Sequence, residues 1–286
     1  MEEGGFIIQS DGLVKRFGDL TAVDGLSVRV KKGEIYGFLG PNGAGKTTTI
    51  RMLTTMDLPD EGTILVGGHN TEKDYISARR LIGVIQQHHS LEKDISVREN
   101  IVYHGLMQNL SRKVIEERMK ELCELMGLND RMDSLVKDLS GGWKKKVAIV
   151  CALIHNPEIL FMDEPTTGLD TQSRNLLWKT TRSINRRGTT IFLTTHYIFE
   201  AEQLADRVGI IMSGKMVVEG TVSELLSRLQ PVALVATDSD GNEEVTFHLD
   251  RSAAKNAAEE YGESHNISIR STNLEDVFLD LTGRKL

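Results

Sequence analysis

Gly40-Pro41-Asn42-Gly43-Ala44-Gly45-Lys46-Thr47, followed by Thr48, has the spacing G-x-x-x-x-G-K-T. Glycines at that spacing let backbone N–H groups turn inward and come close to phosphate. Lys46 can reach the terminal phosphates of a nucleotide, and the Thr47 hydroxyl suits a magnesium ion. The apolar run Ile35 to Leu39 leads into the loop, and a helical stretch from Thr48 to Met56 follows. That strand–loop–helix context is the one such a loop requires, and the helix adds the positive end of its dipole. These residues read as a nucleoside triphosphate site.

A second cluster could work with it. Ile159-Leu160-Phe161-Met162-Asp163-Glu164-Pro165 is an apolar strand ending in two carboxylates. Asp163 would lie at the C-terminal end of that strand, where α/β sheets bind ligands, and could hold Mg2+ through water. On an extended chain Glu164 would point the opposite way, toward an attacking water that it could orient or deprotonate.

Other chemistry-bearing groups read as structural. Cys123 and Cys151 sit in apolar, helix-like stretches and are expected buried and reduced rather than as a disulfide or metal pair. Adjacent residues such as His88-His89 rarely converge on one ion, and no Cys or further His lies close in sequence. The acidic turn Asp238-Ser239-Asp240-Gly241-Asn242 lacks the sixth-position glycine and twelfth-position glutamate of an EF-hand loop. Lys144-Lys145-Lys146 is expected on an exposed helix face, solvated or turned to a partner, rather than forming a nucleic-acid patch. The methionines of the central helical region read as packing residues.

The elements that must position these groups alternate. Buried strands are expected at 35–39, 159–162, 190–193 and 208–212, an alternating strand at 26–30, and further strands at 6–8, 62–68 and 81–86. Helical periodicity governs 96–127 and 143–154. Alternating strands and helices predict an α/β fold with a mainly parallel sheet, an antiparallel β part and an inserted helical subdomain at about 90–155. A helix from Val222 to Leu229 ends before Pro231, which marks a boundary. Beyond it, two alternating runs joined by Asp240-Gly241 predict a hairpin, followed by helix, strand and helix. This predicts one domain at 1–230 and a small α+β appendage at 231–286.

Composition narrows the partners. The 286 residues carry a net charge of −7, and an acidic chain is a poor candidate for sequence-independent nucleic-acid binding. The longest apolar run, Val147 to Ile154, falls far short of the about 20 residues a membrane span needs. The acidic start, Met1-Glu2-Glu3-Gly4-Gly5, lacks the pattern of a signal peptide.

Leu139-Ser140-Gly141-Gly142-Trp143 resembles the LSGGQ signature of ATP-binding cassette (ABC) ATPases, and it precedes the Asp163 strand in that family's order. Gln87 fits the family's Q-loop, Gly168-Leu169-Asp170 its D-loop and His196 its H-loop. The resemblance covers about residues 6–230. It implies a P-loop ATPase core that binds ATP and Mg2+, with Thr47, Asp163 and Gln87 as metal ligands. Lys46, Glu164, Gln87 and His196 would act in hydrolysis. Two such domains would pair head to tail, so that Ser140, Gly141 and Gly142 of one chain face the nucleotide of the other and Asp170 lies at the seam. Phe17 would stack on the adenine, where relatives often carry Tyr. Trp143 departs from the usual signature Gln, and Gln86 stands where many members have Pro.

The phosphate loop, Thr166-Thr167-Gly168-Leu169-Asp170 and the late segment Leu274-Glu275-Asp276-Val277-Phe278-Leu279 are together similar to drug-resistance-type subunits of ABC-2 exporters. This implies a homodimer, or a pair with a homologous ATPase subunit, on the cytoplasmic face of the membrane. The pair would be docked on a separate polytopic subunit through about 88–110. The alternative is a non-transport ABC ATPase acting on a macromolecular partner. Such proteins normally carry two cassettes, long coiled coils or zinc sites, and none of these is present here.

Overall fold

A computed structural model describes residues 5–86 and 91–283. Its strands begin with β1 (Phe6–Phe17), β2 (Leu20–Lys31) and β3 (Ile35–Leu39). Helix α1 (Lys46–Leu53), β4 (Glu61–Val66), β5 (His69–Asn70), α2 (Tyr75–Arg80) and β6 (Ile82–Ile85) follow. The helical region holds α3 (Val97–Met107), α4 (Arg112–Met126) and α5 (Gly141–Leu153). Then come β7 (Ile159–Asp163), α6 (Thr171–Arg186), β8 (Thr190–Thr195), α7 (Ile198–Leu204), β9 (Arg207–Met212) and β10 (Lys215–Thr221). The chain closes with α8 (Val222–Leu226), β11 (Val232–Thr237), β12 (Glu243–His248), α9 (Arg251–Ala258), β13 (Asn266–Ser271) and α10 (Leu274–Thr282).

Two compact units result, Met1–Met216 and Val217–Leu286, and the division falls inside β10. In the first unit a twisted sheet runs β10-β9-β3-β8-β7-β6, with β3, β6, β7, β8 and β9 pairing in parallel. Every residue of β3, β7 and β8 is buried. That explains their unbroken apolar sequence, because a parallel sheet covered on both faces has no polar side. A second sheet, β2-β1-β4-β5, is antiparallel, and β2 alternates buried and exposed positions over its second half.

One apolar cluster joins the inner face of this antiparallel sheet to Tyr36, Phe38, Phe161 and Phe192. The other joins α3, α4 and α5 to Leu160, Met162 and Leu193. The helices are bounded by local chemistry. Ser96 and Glu99 form a reciprocal capping box on α3, while Ser111 caps α4, which stops at Gly127 with φ 63°. Cys123 and Cys151 are buried free thiols, and burial pushes the Cys123 thiol up to about 11. No helix among the described residues is long and apolar enough to cross a membrane.

The second unit is an α+β body. β11 lies between β12 and β13, antiparallel to both, and α9 packs against all three. Asp238 closes the β11–β12 hairpin by accepting from the backbone N–H groups of Asp240 and Asn242. Asn273 caps α10, and buried Asp276 completes the capping box by accepting the Asn273 N–H while binding both terminal nitrogens of Arg270, at 2.6 and 2.7 Å.

Candidate functional site

The phosphate loop joins β3 to α1. Gly40 and Gly45 are fixed by close packing: a Cβ on Gly40 would collide with the carbonyl of Ile211, and one on Gly45 would lie 2.5 Å from the carbonyl of Ala22. Gly45 also holds φ at 104° as the N-cap of α1, and no side chain caps that helix. The first-turn N–H groups are thus left for an anionic ligand. Lys46, only 4% exposed, donates to the carbonyls of Gly40 at 2.8 Å and Pro41 at 3.0 Å. Ala44, a buried residue of the loop, donates its N–H to the Pro41 carbonyl.

β7 delivers the carboxylates. Asp163 Oδ1 accepts from Thr194 Oγ1 at 2.6 Å and lies 3.4 Å from Thr47 Oγ1. Thr47 and Asp163 therefore converge as hard oxygen donors, which fits magnesium. They would hold the ion, whose charge would offset that of the phosphates.

Glu164 does not continue the strand as the sequence suggested. The chain turns there with φ 44°, a conformation non-glycine residues rarely adopt. The turn is held because the Glu164 N–H donates to both the carbonyl and the hydroxyl of Thr194, at 3.2 and 3.1 Å. The Glu164 side chain consequently faces Lys46, at 3.2 Å, and His196 Nδ1, at 3.1 Å. The His196 contact is close without the alignment of a hydrogen bond. Burial pushes the Glu164 carboxyl up, but Lys46 and His196 together outweigh it and hold the group below its ordinary value. Thr167 Oγ1 adds a hydrogen bond to Glu164 at 3.3 Å.

Lys46, Thr47, Glu164, Thr167 and His196 line one cleft of about 640 Å3 with Phe17, Leu20, Ala22, Asn42, Gly43, Gly45 and Thr48. Half-exposed Phe17 stands at the end of β1, offering a ring face to a base. The cleft thus unites an aromatic platform, an uncapped helix N-terminus, a buried ammonium and a carboxylate beside an imidazole. That set can bind a nucleoside triphosphate and direct a water at its terminal phosphate.

Ser140, Gly141 and Gly142 are not in that cleft. Ser140 is the N-cap of α5 with no side-chain cap bond, so a second open helix N-terminus faces elsewhere. Ser140 and Gly142 line a separate cavity of about 210 Å3 with Trp143, Lys145, Ser173 and Leu177. Asp170 caps α6, accepting from Ser173 N at 2.9 Å and Ser173 Oγ at 2.7 Å. Trp143 packs against the helical-region core, with Lys146 Nζ 4.2 Å from its ring centroid. Lys145 is not on an exposed face as expected. It is 5% exposed, and burial pushes its ammonium down to about 8 against the pull of Asp163 and Glu200. Gln87 and His88-His89 lie outside the described residues.

Three residues near the site were not read from sequence. Thr194 and Thr167 carry hydrogen bonds to the carboxylate pair, and Glu200 is a buried carboxylate on α7. Thr194 was findable in principle, because it stands in register with Asp163 in the parallel pair β7–β8.

Fold and cleft together define a P-loop ATPase with an inserted helical region and a separate signature-bearing helix. Residues 23–167 match the family described as ABC transporter. The chain belongs to that family, and it is an ATP-binding, ATP-hydrolysing subunit of a transporter of this type. It is 39% identical to the daunorubicin/doxorubicin resistance ATP-binding protein of Streptomyces peucetius over 96% of this chain and 92% of that one. It is 37% identical to a Nod factor export ATP-binding protein of Ralstonia nicotianae, over 98% and 95% of the two chains. Among solved structures, a dimeric ATP-binding cassette with ADP and Pi matches with TM-score 0.68 and 25% identity. That match covers 75% of this chain and 98% of that one.

Proposed function

We propose that this chain is the motor subunit of an exporter, working as a head-to-tail pair whose ATP-driven closure moves a separate polytopic membrane subunit. The observation that carries the pairing is the separation of two open helix N-termini. The phosphate loop lines one cleft, and Ser140 with Gly142 lines another. In this reading a terminal phosphate held by Lys46 is met by Ser140, Gly141 and Gly142 of a second copy. The dimeric cassette with ADP and Pi supports this arrangement, and the resistance and export names of the relatives support outward transport.

In this reading Phe17 stacks on the adenine, and Gly40 to Thr48 wrap the phosphates. Lys46 exchanges Glu164 for phosphate when ATP arrives. Thr47, Asp163 and Gln87 hold Mg2+. Glu164, freed of Lys46 but still beside His196, orients the attacking water and draws off its proton, while His196 braces the terminal phosphate. Asp170 lies at the seam of the pair. Residues 1–230 form the cassette, 231–286 an accessory domain, and the pair sits on the cytoplasmic face of the membrane.

Replacing Glu164 by Gln keeps the shape of the site and removes the base. With ATP and Mg2+ the variant should elute in size-exclusion chromatography as a dimer that persists while hydrolysis is blocked. A Glu164→Gln variant that binds ATP yet stays monomeric would refute the pairing.

A further inference from the structure

We propose that Glu200 is a positioning residue for ATP hydrolysis, clamping the loop that follows Glu164 to the segment that carries His196. The inference rests on the assignment of Glu164 and His196 to hydrolysis.

Glu200 stands in the first turn of α7, which begins two residues after His196, and it is 1% exposed. Its Oε2 accepts from Thr166 Oγ1 at 3.1 Å, and its Oε1 accepts from Trp178 Nε1 at 3.1 Å. The hydroxyl of Thr195, the residue before His196, favours the charged form of the same carboxylate. Thr166 lies between Glu164 and Asp170, in a loop closed by Thr167 N donating to the Glu164 carbonyl and Leu169 N donating to the Thr166 carbonyl. Trp178 belongs to α6, the helix that Asp170 caps. One buried carboxylate, carried on the helix that follows His196, therefore holds three segments together: the Glu164–Asp170 loop, α6 after that loop, and α7 itself.

Energetics set this apart from ordinary packing. Burial pushes the Glu200 carboxyl up, and Thr195, the Trp178 and Thr166 donors and the charge of Arg174 only partly offset it. Apolar side chains of similar volume often replace such buried ionic groups without loss of stability. What an apolar residue cannot supply is simultaneous attachment to three segments that must stay in register around Glu164. Lys145 of α5 also feels the charge of Glu200 and of Asp163, so the helix that begins at Ser140 borders the same cluster.

The test uses the full chain and follows steady-state ATP hydrolysis, binding of a fluorescent ATP analogue, and thermal unfolding. Glu200→Gln should lower kcat by on the order of ten- to a hundredfold, as small misplacements of catalytic groups do. Its KM and analogue affinity should stay within about twofold of the native values, since the phosphate contacts are untouched. Thr166→Val should reproduce the loss, and Thr166→Ser, which keeps the hydroxyl, should restore the native rate. Added to His196→Ala, Glu200→Gln should cost little more, because the two residues act as a unit. If Glu200→Gln does not fold, the Thr166 pair decides alone. A folded Glu200→Gln or Thr166→Val variant with native kcat overturns the inference, as does a loss that adds fully to that of His196→Ala. If Glu164→Gln and His196→Ala themselves hydrolyse ATP at the native rate, the assignment beneath the inference fails instead.

Discussion

Thr194→Val separates the support of the carboxylate pair from the pair itself. Valine has the shape of threonine, so the fully buried position acquires no cavity. The hydroxyl it removes donates to Asp163 Oδ1 at 2.6 Å and accepts the Glu164 N–H at 3.1 Å. A hydrogen bond to a charged group contributes about 1.5–3 kcal/mol net. The second loss is smaller, because the Glu164 N–H keeps the Thr194 carbonyl at 3.2 Å. A destabilisation of about 2 kcal/mol follows, which for a unit of this size lowers Tm by roughly 4–8 °C. Asp163 also loses the group that orients it, and loss of such outer partners typically costs about 10–100-fold in metal affinity. Differential scanning calorimetry and a magnesium titration of ATPase activity measure the two effects, with Thr194→Ser as the control that keeps the hydroxyl. A Thr194→Val protein with native Tm and native magnesium dependence would refute the reasoning.

Two other outcomes are expected. Glu164 is held below its ordinary carboxyl value of 4.5, so its stabilising contribution is present above that pH and lost as the pH falls through the lowered value. In Lys46→Met the counterweight to burial is gone and the Glu164 carboxyl rises. Denaturant midpoints should then show the gap between variant and native protein large at about pH 7, shrinking toward about pH 4.5 as the variant's raised carboxyl takes up its proton and further below it as the native one does; a gap constant with pH would count against the buried pair. In the appendage, Asp276→Asn breaks a two-pronged bond to a partly exposed Arg270 and should cost about 2 kcal/mol locally. Limited proteolysis should then cut faster within 217–286, and unchanged cleavage would mean the pair contributes nothing.

Periodicity carried much of the fold. The apolar runs at 35–39, 159–162 and 190–193 fall in wholly buried parallel strands, and the hairpin read from Asp240-Gly241 is the β11–β12 pair. The elements read only in part or not at all had weaker patterns, β1 and β2 being expected only at 6–8 and 26–30. β1 and β2 each run for 12 residues, but bulges between Ser10 and Arg16 blur their alternation. Helix α6 is mostly polar and buries only Leu177, Thr181 and Ile184 along one face. At the site, residue types announced the phosphate loop and the carboxylates, because backbone access and metal binding need those types at those spacings. Conformation was less legible. Nothing in Asp163-Glu164-Pro165 announces a left-handed Glu164, which depends on a hydroxyl and a carbonyl supplied by the neighbouring strand. Lys145 misled for a related reason. A lysine in a basic triplet suggests solvent, and only the packing of α5 takes the middle one inside.

Placing Ser140 and Lys46 in different clefts has a genetic consequence. If each working site is completed by a second chain, a lesion belongs to a site rather than to a molecule. A chain altered at Lys46 and a chain altered at Ser140 are each inactive when paired with their own kind. Paired with each other, they concentrate both lesions in one site and leave the other site entirely native. Mixing the two inactive proteins should therefore restore hydrolysis, whereas mixing two different phosphate-loop variants should not. A strain carrying both alleles would regain whatever function one intact site sustains.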